Sequence, residues 1–188
     1  MSHNQQYIDI FQTPAFRQGI SFGIVSSAMT VLGISLGVWS SGENLRAIIS
    51  SVVGLSISNS LADAFSMYMS DTASGQSKNA LTSAIITAIV ECILPFVFLI
   101  PFLTMTLKHA IIVNAVMGIF LVAITGIYVS KLHNISDEKM IENVSIYISI
   151  TVLIMILTYT SGLVINKMIK GYGQGHGQGH GQGHGRGV

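Results

Sequence analysis

Charged residues are scarce in this chain. Asp, Glu, Lys and Arg make up 9% of the sequence, against about 25% in soluble domains, and 50% of the residues are hydrophobic. A soluble protein of 188 residues has too little interior to hide so much apolar surface. The composition therefore excludes a soluble domain and predicts an all-α, polytopic membrane protein in a lipid bilayer. The net charge of +1 gives no indication of a nucleic-acid partner.

Cysteine is almost absent. The single cysteine, Cys92, excludes an internal disulfide and a zinc-finger framework. The sequence also lacks His-Glu-x-x-His and any recognisable Ser/His or Asp/Asp pair, so we do not expect an enzyme. Residues 1–16 show neither a basic start nor a signal-cleavage pattern. We interpret them as a polar, interfacial segment that precedes a first span retained in the membrane.

Long apolar runs, in contrast, recur five times between residues 17 and 170, each near the roughly 20 residues that cross a bilayer. A transmembrane barrel would show two-residue alternation in units of about 10 residues, and that pattern is absent. The short polar joints between the runs predict one up-and-down bundle of five transmembrane helices. The predicted spans are Gly19–Trp39, Ala47–Met69, Ala80–Leu103, Ala110–Ser130 and Val144–Asn166.

Residues 171–188 form a tail in which a Gly-Gln-Gly-His unit occurs three times. Glycine at alternate positions does not sustain a helix or a core, so we expect this tail to be disordered. Its histidines, His176, His180 and His184, have two equal interpretations. They form an auxiliary site for a divalent metal, since imidazole suits transition metals, or they belong to a weakly interacting tail.

The second predicted span contains an acidic residue. Asp63 lies one helical turn after Asn59 and one turn before Met67, so the three share a face. A carboxylate at mid-membrane costs about 2.5–3.5 kcal/mol on insertion scales, which makes this face a candidate site. Carboxylate, amide and thioether ligands together suit a transition metal. The alternative is a buried polar contact between helices.

A second acid, Glu91, lies within the third predicted span. Pro95 follows four residues later and lacks the N–H that would bond to the carbonyl of Glu91. For the proline alone, a structural kink is the simpler interpretation. Two buried acids beside a kink favour an ion path, because irregular backbone in a membrane is tolerated where it lines a cavity. The predicted metal site is Asp63, Met67 and Glu91, with Asn59 assisting.

The first predicted span has small residues at spacings of four and three. This pattern allows another backbone to approach closely. One interpretation is packing inside a single bundle; the other is a homodimer interface or the wall of an ion path, with Gly23, Ser26 and Thr30 lining it. Glu142, before the fifth span, is either a solvated first-turn acid or part of the mouth of the path. The glycine seam comprises Gly19, Gly23, Ser26, Thr30, Gly33 and Gly37.

Several short segments occur in a recognisable order along the spans. They are Phe22-Gly23 through Gly33-Ile-Ser-Leu-Gly37, Ala62-Asp63-Ala-Phe-Ser-Met67, Leu94-Pro95-Phe96, Ile100-Pro101-Phe102 and Met140-Ile-Glu142. No single motif is diagnostic, but in this order and combination they resemble the vacuolar iron transporter family of five-helix iron and manganese carriers, in its short, nodulin-like form without the cytosolic metal-binding insertion.

The resemblance implies a homodimer joined through the first helices, with proton-coupled movement of Fe²⁺ or Mn²⁺ out of the cytosol across a vacuole-like intracellular membrane. The metal would be cargo and not a permanent cofactor. Met67 matches a methionine of the family's membrane site, whereas Ser26 and Asn59 stand where the family has acids. These departures motivate the alternative, a non-transporting membrane scaffold with the same fold.

Overall fold

The computed structural model describes residues 13–42 and 44–177, except for the side chains of residue 77 and of residues 172–177. The described part is all helical and contains no strand. Its five helices are α1 (Pro14–Ser40), α2 (Leu45–Ala73), α3 (Ser77–Thr104), α4 (Leu107–Leu132) and α5 (Asp137–Gly177).

Each helix contains one of the predicted spans, and all five are long and apolar enough to cross a membrane. The prediction of an all-α protein with five transmembrane helices is confirmed. The ends differ from the prediction at two places. Helix α1 begins at Pro14, inside the predicted 1–16 segment. Helix α5 continues to Gly177, so the backbone of residues 171–177 is helical where we expected disorder. Extending an existing helix adds one hydrogen bond per residue without the cost of nucleation, and this offsets the poor propensity of glycine.

Side-chain caps start the first two helices. The hydroxyl of Thr13 accepts a hydrogen bond from the N–H of Phe16, and Pro14 occupies the first turn, where its missing N–H removes no helical bond. The side chain of Asn44 accepts bonds from the N–H groups of Arg46 and Ala47. The Asn44 cap lets the chain reverse within a few residues between Ser40, the end of α1, and Leu45, the start of α2.

Helix α1 lies at the centre of the bundle and contacts all four other helices. Helix α3 packs against both α1 and α2, and α5 packs against α1 and α4. The hydrophobic core joins α1, α2, α3 and α4, with Val31, Val52, Phe98 and Val122 almost fully buried. Further along α2, polar side chains meet α1 and α3.

Contacts within the bundle account for the glycines of the seam. A Cβ atom on Gly19 or Gly23 would lie within 3.0 Å of α3, in the case of Gly23 at 2.9 Å from the Cβ of Val90. Near the other end of α1, a Cβ atom on Gly33 would lie 3.5 Å from Thr158 of α5. The interpretation of the seam as packing inside one bundle explains these positions, and the homodimer stays a prediction.

Candidate functional site

Asp63 is bound by donors from two helices. Its Oδ2 atom accepts hydrogen bonds from the hydroxyl of Ser26 on α1, at 2.7 Å, and from the side-chain amide of Asn59 on α2, at 3.1 Å. The same amide nitrogen lies 3.5 Å from the hydroxyl of Thr30. Asn59 and Asp63 thus share a face, as the sequence predicts, and that face is directed at α1.

Glu91 of α3 completes this group. Its side chain is 2% exposed, and neither carboxyl oxygen makes a hydrogen bond to any described residue. It interacts electrostatically with Asp63, and the hydroxyl of Ser26 is close to it. A buried carboxyl group without a donor is costly, so such a position favours an additional ligand such as a proton, water or a cation. We call Ser26, Asn59, Asp63 and Glu91 the inner cluster.

A small cavity adjoins the inner cluster. Its volume is about 10 Å³, close to the space that one water molecule needs. The hydroxyl of Ser27 in its wall has no hydrogen-bond partner among the described residues, like the carboxyl group of Glu91. The cavity therefore has the size and the oxygen groups for one water molecule or one dehydrated cation. It is lined by Ser27, Thr30, Ser56, Asn59, Glu91 and Pro95.

Met67 makes its polar contact outside the inner cluster, and its part in the predicted four-residue metal site stays a prediction. Its sulfur accepts a hydrogen bond at 3.3 Å from the side-chain amide of Gln18, and that amide also donates to Oδ1 of Asp71 at 2.9 Å. The hydroxyl of Ser83 donates to Oδ2 of Asp71. The side chain of Met67 is one turn further along α2 than Asp63, about 6 Å, and so it reaches the level of Gln18. We call Gln18, Met67, Asp71 and Ser83 the outer cluster.

Asp71 is not among the predicted site residues, because residues 70–79 were predicted to form a polar joint between two spans. Helix α2 instead continues to Ala73, and the side chain of Asp71 is only 3% exposed. The spacing of polar residues along α2 could have indicated Asp71. Asn59, Asp63, Met67 and Asp71 follow one another at intervals of four residues, so they extend a single polar face by one more turn.

Two other candidate residues that the structure describes, Gly23 and Glu142, belong to neither cluster. Gly23 is packed against α3, so it provides close helix contact and no ligand. Glu142 is exposed near the start of α5, which packs against α1 and α4. The side chain of His176, together with His180 and His184, lies outside the described residues.

Over the part of the chain that the structure describes, no group of three or more His, Cys, Asp and Glu residues is arranged to hold a metal ion. A cation in the inner cluster would therefore depend on two carboxyl groups supplemented by amide and hydroxyl oxygens.

Comparisons with known proteins leave the family resemblance as a prediction. No protein-family model matches this sequence, and searches of curated proteins and of solved structures return no match.

Proposed function

We propose that the chain is a transporter of a divalent transition metal, Fe²⁺ or Mn²⁺, coupled to protons. The observation that supports this most directly is the meeting of Asp63 and Glu91 from neighbouring helices beside a cavity of water size. Two carboxyl groups at such proximity repel each other when both are ionised, and a proton or a cation relieves that repulsion. The same pair of carboxyl groups can thus hold a proton or a cation in turn, and the exchange of protons for metal requires this.

The inner cluster would bind the metal through oxygen atoms. Asp63 and Glu91 supply the negative charge, and Asn59, with the hydroxyls of Ser26 and Thr30, supplies neutral oxygens. Carboxylate and carbonyl oxygens suit Mn²⁺, and Fe²⁺ lies beside it in the affinity order of divalent metals. When the metal leaves, protons on the carboxyl groups replace its charge, and alternating access to the two sides completes the exchange.

The resemblance supports the direction and setting of this proposal. It supports movement of the metal out of the cytosol, across a vacuole-like membrane, by a homodimer. The described helices occupy much of the α1 surface, so a second copy would meet the remaining exposed faces.

Asp63→Asn tests the proposal. With a pH gradient across proteoliposomes, we expect the initial rate of Mn²⁺ uptake to fall at least about tenfold, because one of two charges that balance the cation is lost inside the membrane. Asp137→Asn, at an exposed position that starts α5, is the matched control and should keep the wild-type rate. Wild-type uptake by a protein carrying both Asp63→Asn and Met67→Ala would exclude this mechanism.

A non-transporting scaffold is the second candidate, favoured by the absence of a three-ligand metal group among the described residues. It predicts an oligomer without metal-dependent flux. Gly33 is the informative position on the glycine seam, since it is part of an open groove, whereas Gly23 is buried against Val90. For the scaffold, Gly33→Leu should dissociate the oligomer, as measured by native mass spectrometry in detergent. An unchanged mass would count against an interface on this face.

A further inference from the structure

The outer cluster gathers four different ligand types at one point. Asp71 and Ser83 are buried, Met67 is 7% exposed, and Gln18 connects them from α1. Three helices thus contribute side chains to a single group. We propose that the outer cluster is a second cation-binding site, selective for transition metals over Ca²⁺ and Mg²⁺.

The hydrogen bonds define the ligand atoms. Asp71 supplies a carboxylate whose two oxygens face Gln18 and Ser83. The amide nitrogen of Gln18 lies 3.3 Å from the sulfur of Met67 and 2.9 Å from Oδ1 of Asp71, so it occupies the position between these two ligands. A cation can take the place of this nitrogen when the Gln18 side chain moves aside and turns its amide oxygen toward it. It would meet the thioether of Met67, one carboxylate oxygen of Asp71 and the amide oxygen of Gln18, while the hydroxyl of Ser83 holds the other carboxylate oxygen.

The thioether decides which cations this site prefers. Ca²⁺ takes six to eight oxygen ligands and Mg²⁺ demands an octahedron of oxygens, and neither gains from sulfur. Borderline and soft cations accept a mixed set of oxygen and sulfur ligands. Met67 therefore favours Fe²⁺ or Cd²⁺ over the alkaline-earth ions that are abundant in cells, whereas Mn²⁺ would be held mainly by the oxygen ligands.

A vestibule gives access to the outer cluster. A pocket of about 440 Å³ lies where the start of α1 meets the end of α4, and Gln18 forms part of its wall. Gln18 is exposed while Asp71 behind it is buried, so the amide separates the vestibule from the carboxylate. Arg17 and His133 also line the pocket. The positive charge of Arg17 weakens cation binding through repulsion, which keeps the cation exchangeable.

The two clusters lie at different heights between the same three helices, α1, α2 and α3. Asp71 follows Asp63 of the inner cluster by eight residues of α2, about 12 Å along the axis. On α3, Thr87 lies buried midway between Ser83 and Glu91, with its hydroxyl near the carbonyl oxygen of Gly19. The role of the outer cluster as the loading point of a path rests on the proposed function, whereas its ability to bind a cation does not.

Metal binding without a gradient tests the site directly. The purified full chain is titrated with Mn²⁺, and the concentration of free Mn²⁺ is measured by electron paramagnetic resonance. In Asp63→Asn, where the inner cluster is impaired, we expect one bound Mn²⁺ per chain. Adding Asp71→Asn should weaken this binding at least tenfold. Adding Asp137→Asn should leave it unchanged.

Two further variants keep the test decisive if Asp71→Asn does not fold. Gln18→Leu alters an exposed residue and should also weaken Mn²⁺ binding in the Asp63→Asn protein. Met67→Leu should reduce the preference for Cd²⁺ over Ca²⁺ at least tenfold in competition. If the Asp63→Asn protein still binds Mn²⁺ after Asp71→Asn and also after Gln18→Leu, the outer cluster is not a cation site. That conclusion holds even if Asp63→Asn abolishes transport. If instead transport is unaffected by Asp63→Asn while Asp71→Asn removes the bound Mn²⁺, the proposed function fails and the outer site stands.

Discussion

Glu91→Gln is expected to reduce proton-driven Mn²⁺ uptake in proteoliposomes by roughly 100-fold. The substitution keeps the shape of the side chain and removes its charge. Removing one partner from a buried set of charges costs about 3–5 kcal/mol, which corresponds to a factor of 100 or more in binding. The effect should exceed that of Asp63→Asn, because Glu91 is 2% exposed whereas Asp63 is only partly buried.

The two substitutions should not act independently. If Asp63 and Glu91 hold one cation, the double variant should be little worse than Glu91→Gln alone, since the second change removes a partner from a site already lost. Glu138→Gln, an exposed acid in the first turn of α5, is the control and should transport normally. Losses that multiply in the double variant would mean that the two acids act in separate steps.

The thermal stability of the Glu91→Gln variant distinguishes a role of Glu91 in transport from a role in the fold. The carboxyl oxygens of Glu91 make no hydrogen bond to any described residue, so Glu91→Gln breaks no such bond. Thermal unfolding in detergent should therefore occur within a few degrees of the wild-type temperature, even though transport is lost. A large fall in that temperature would assign Glu91 to the fold and not to the ion path.

The number of helices could be predicted from the sequence because the membrane imposes it. A bilayer requires each crossing segment to satisfy its backbone internally and to be apolar over its whole length. The five predicted spans all lie inside observed helices for that reason. Helix ends were harder to predict, because polar residues such as Asp71 extend a helix beyond the apolar core without changing its hydrogen bonding.

The pairing of side chains could be predicted only within a helix. The four-residue spacing placed Asn59 next to Asp63, and their hydrogen bond follows from it. It could not predict that Gln18 would engage Met67, because that contact depends on the rotation and height of α1 relative to α2. Glu91 was placed near Asp63 on the assumption that consecutive helices pack together, and here they do.

The helix that packs against a face of small residues could not be predicted from the sequence either. The spacing of the glycine seam predicts close approach of another backbone but does not name it. The structure assigns Gly23 to α3 and Gly33 to α5. Gly162, on the facing side of α5, belongs to no regular pattern of small residues and was missed. Its close contact with α1 depends on how α1 and α5 pack, which the sequence alone does not show.

Gly162→Leu is expected to separate α5 from α1 and to lower the thermal unfolding temperature markedly. A Cβ atom at this position would collide with the hydroxyl of Ser40 and the carbonyl oxygen of Gly37, and would lie 3.0 Å from the backbone nitrogen of Ser41. Overpacking costs about 1–3 kcal/mol where side chains can adjust. Here two of the three neighbours are backbone atoms of α1, already hydrogen-bonded to each other, so we expect the upper end of that range or more.

Gly54→Leu is the matched control, because no atom lies within 4 Å of a Cβ atom there and Gly54 is exposed on α2. Leucine has a higher helix propensity than glycine by up to about 1 kcal/mol, so this variant should be at least as stable as wild type. Trp39, the only tryptophan, packs on Tyr159 of α5 with ring centroids 6.0 Å apart and provides a local readout. Its fluorescence should shift in Gly162→Leu and stay unchanged in Gly54→Leu. Equal unfolding temperatures and equal spectra for the two variants would contradict the close α1–α5 contact.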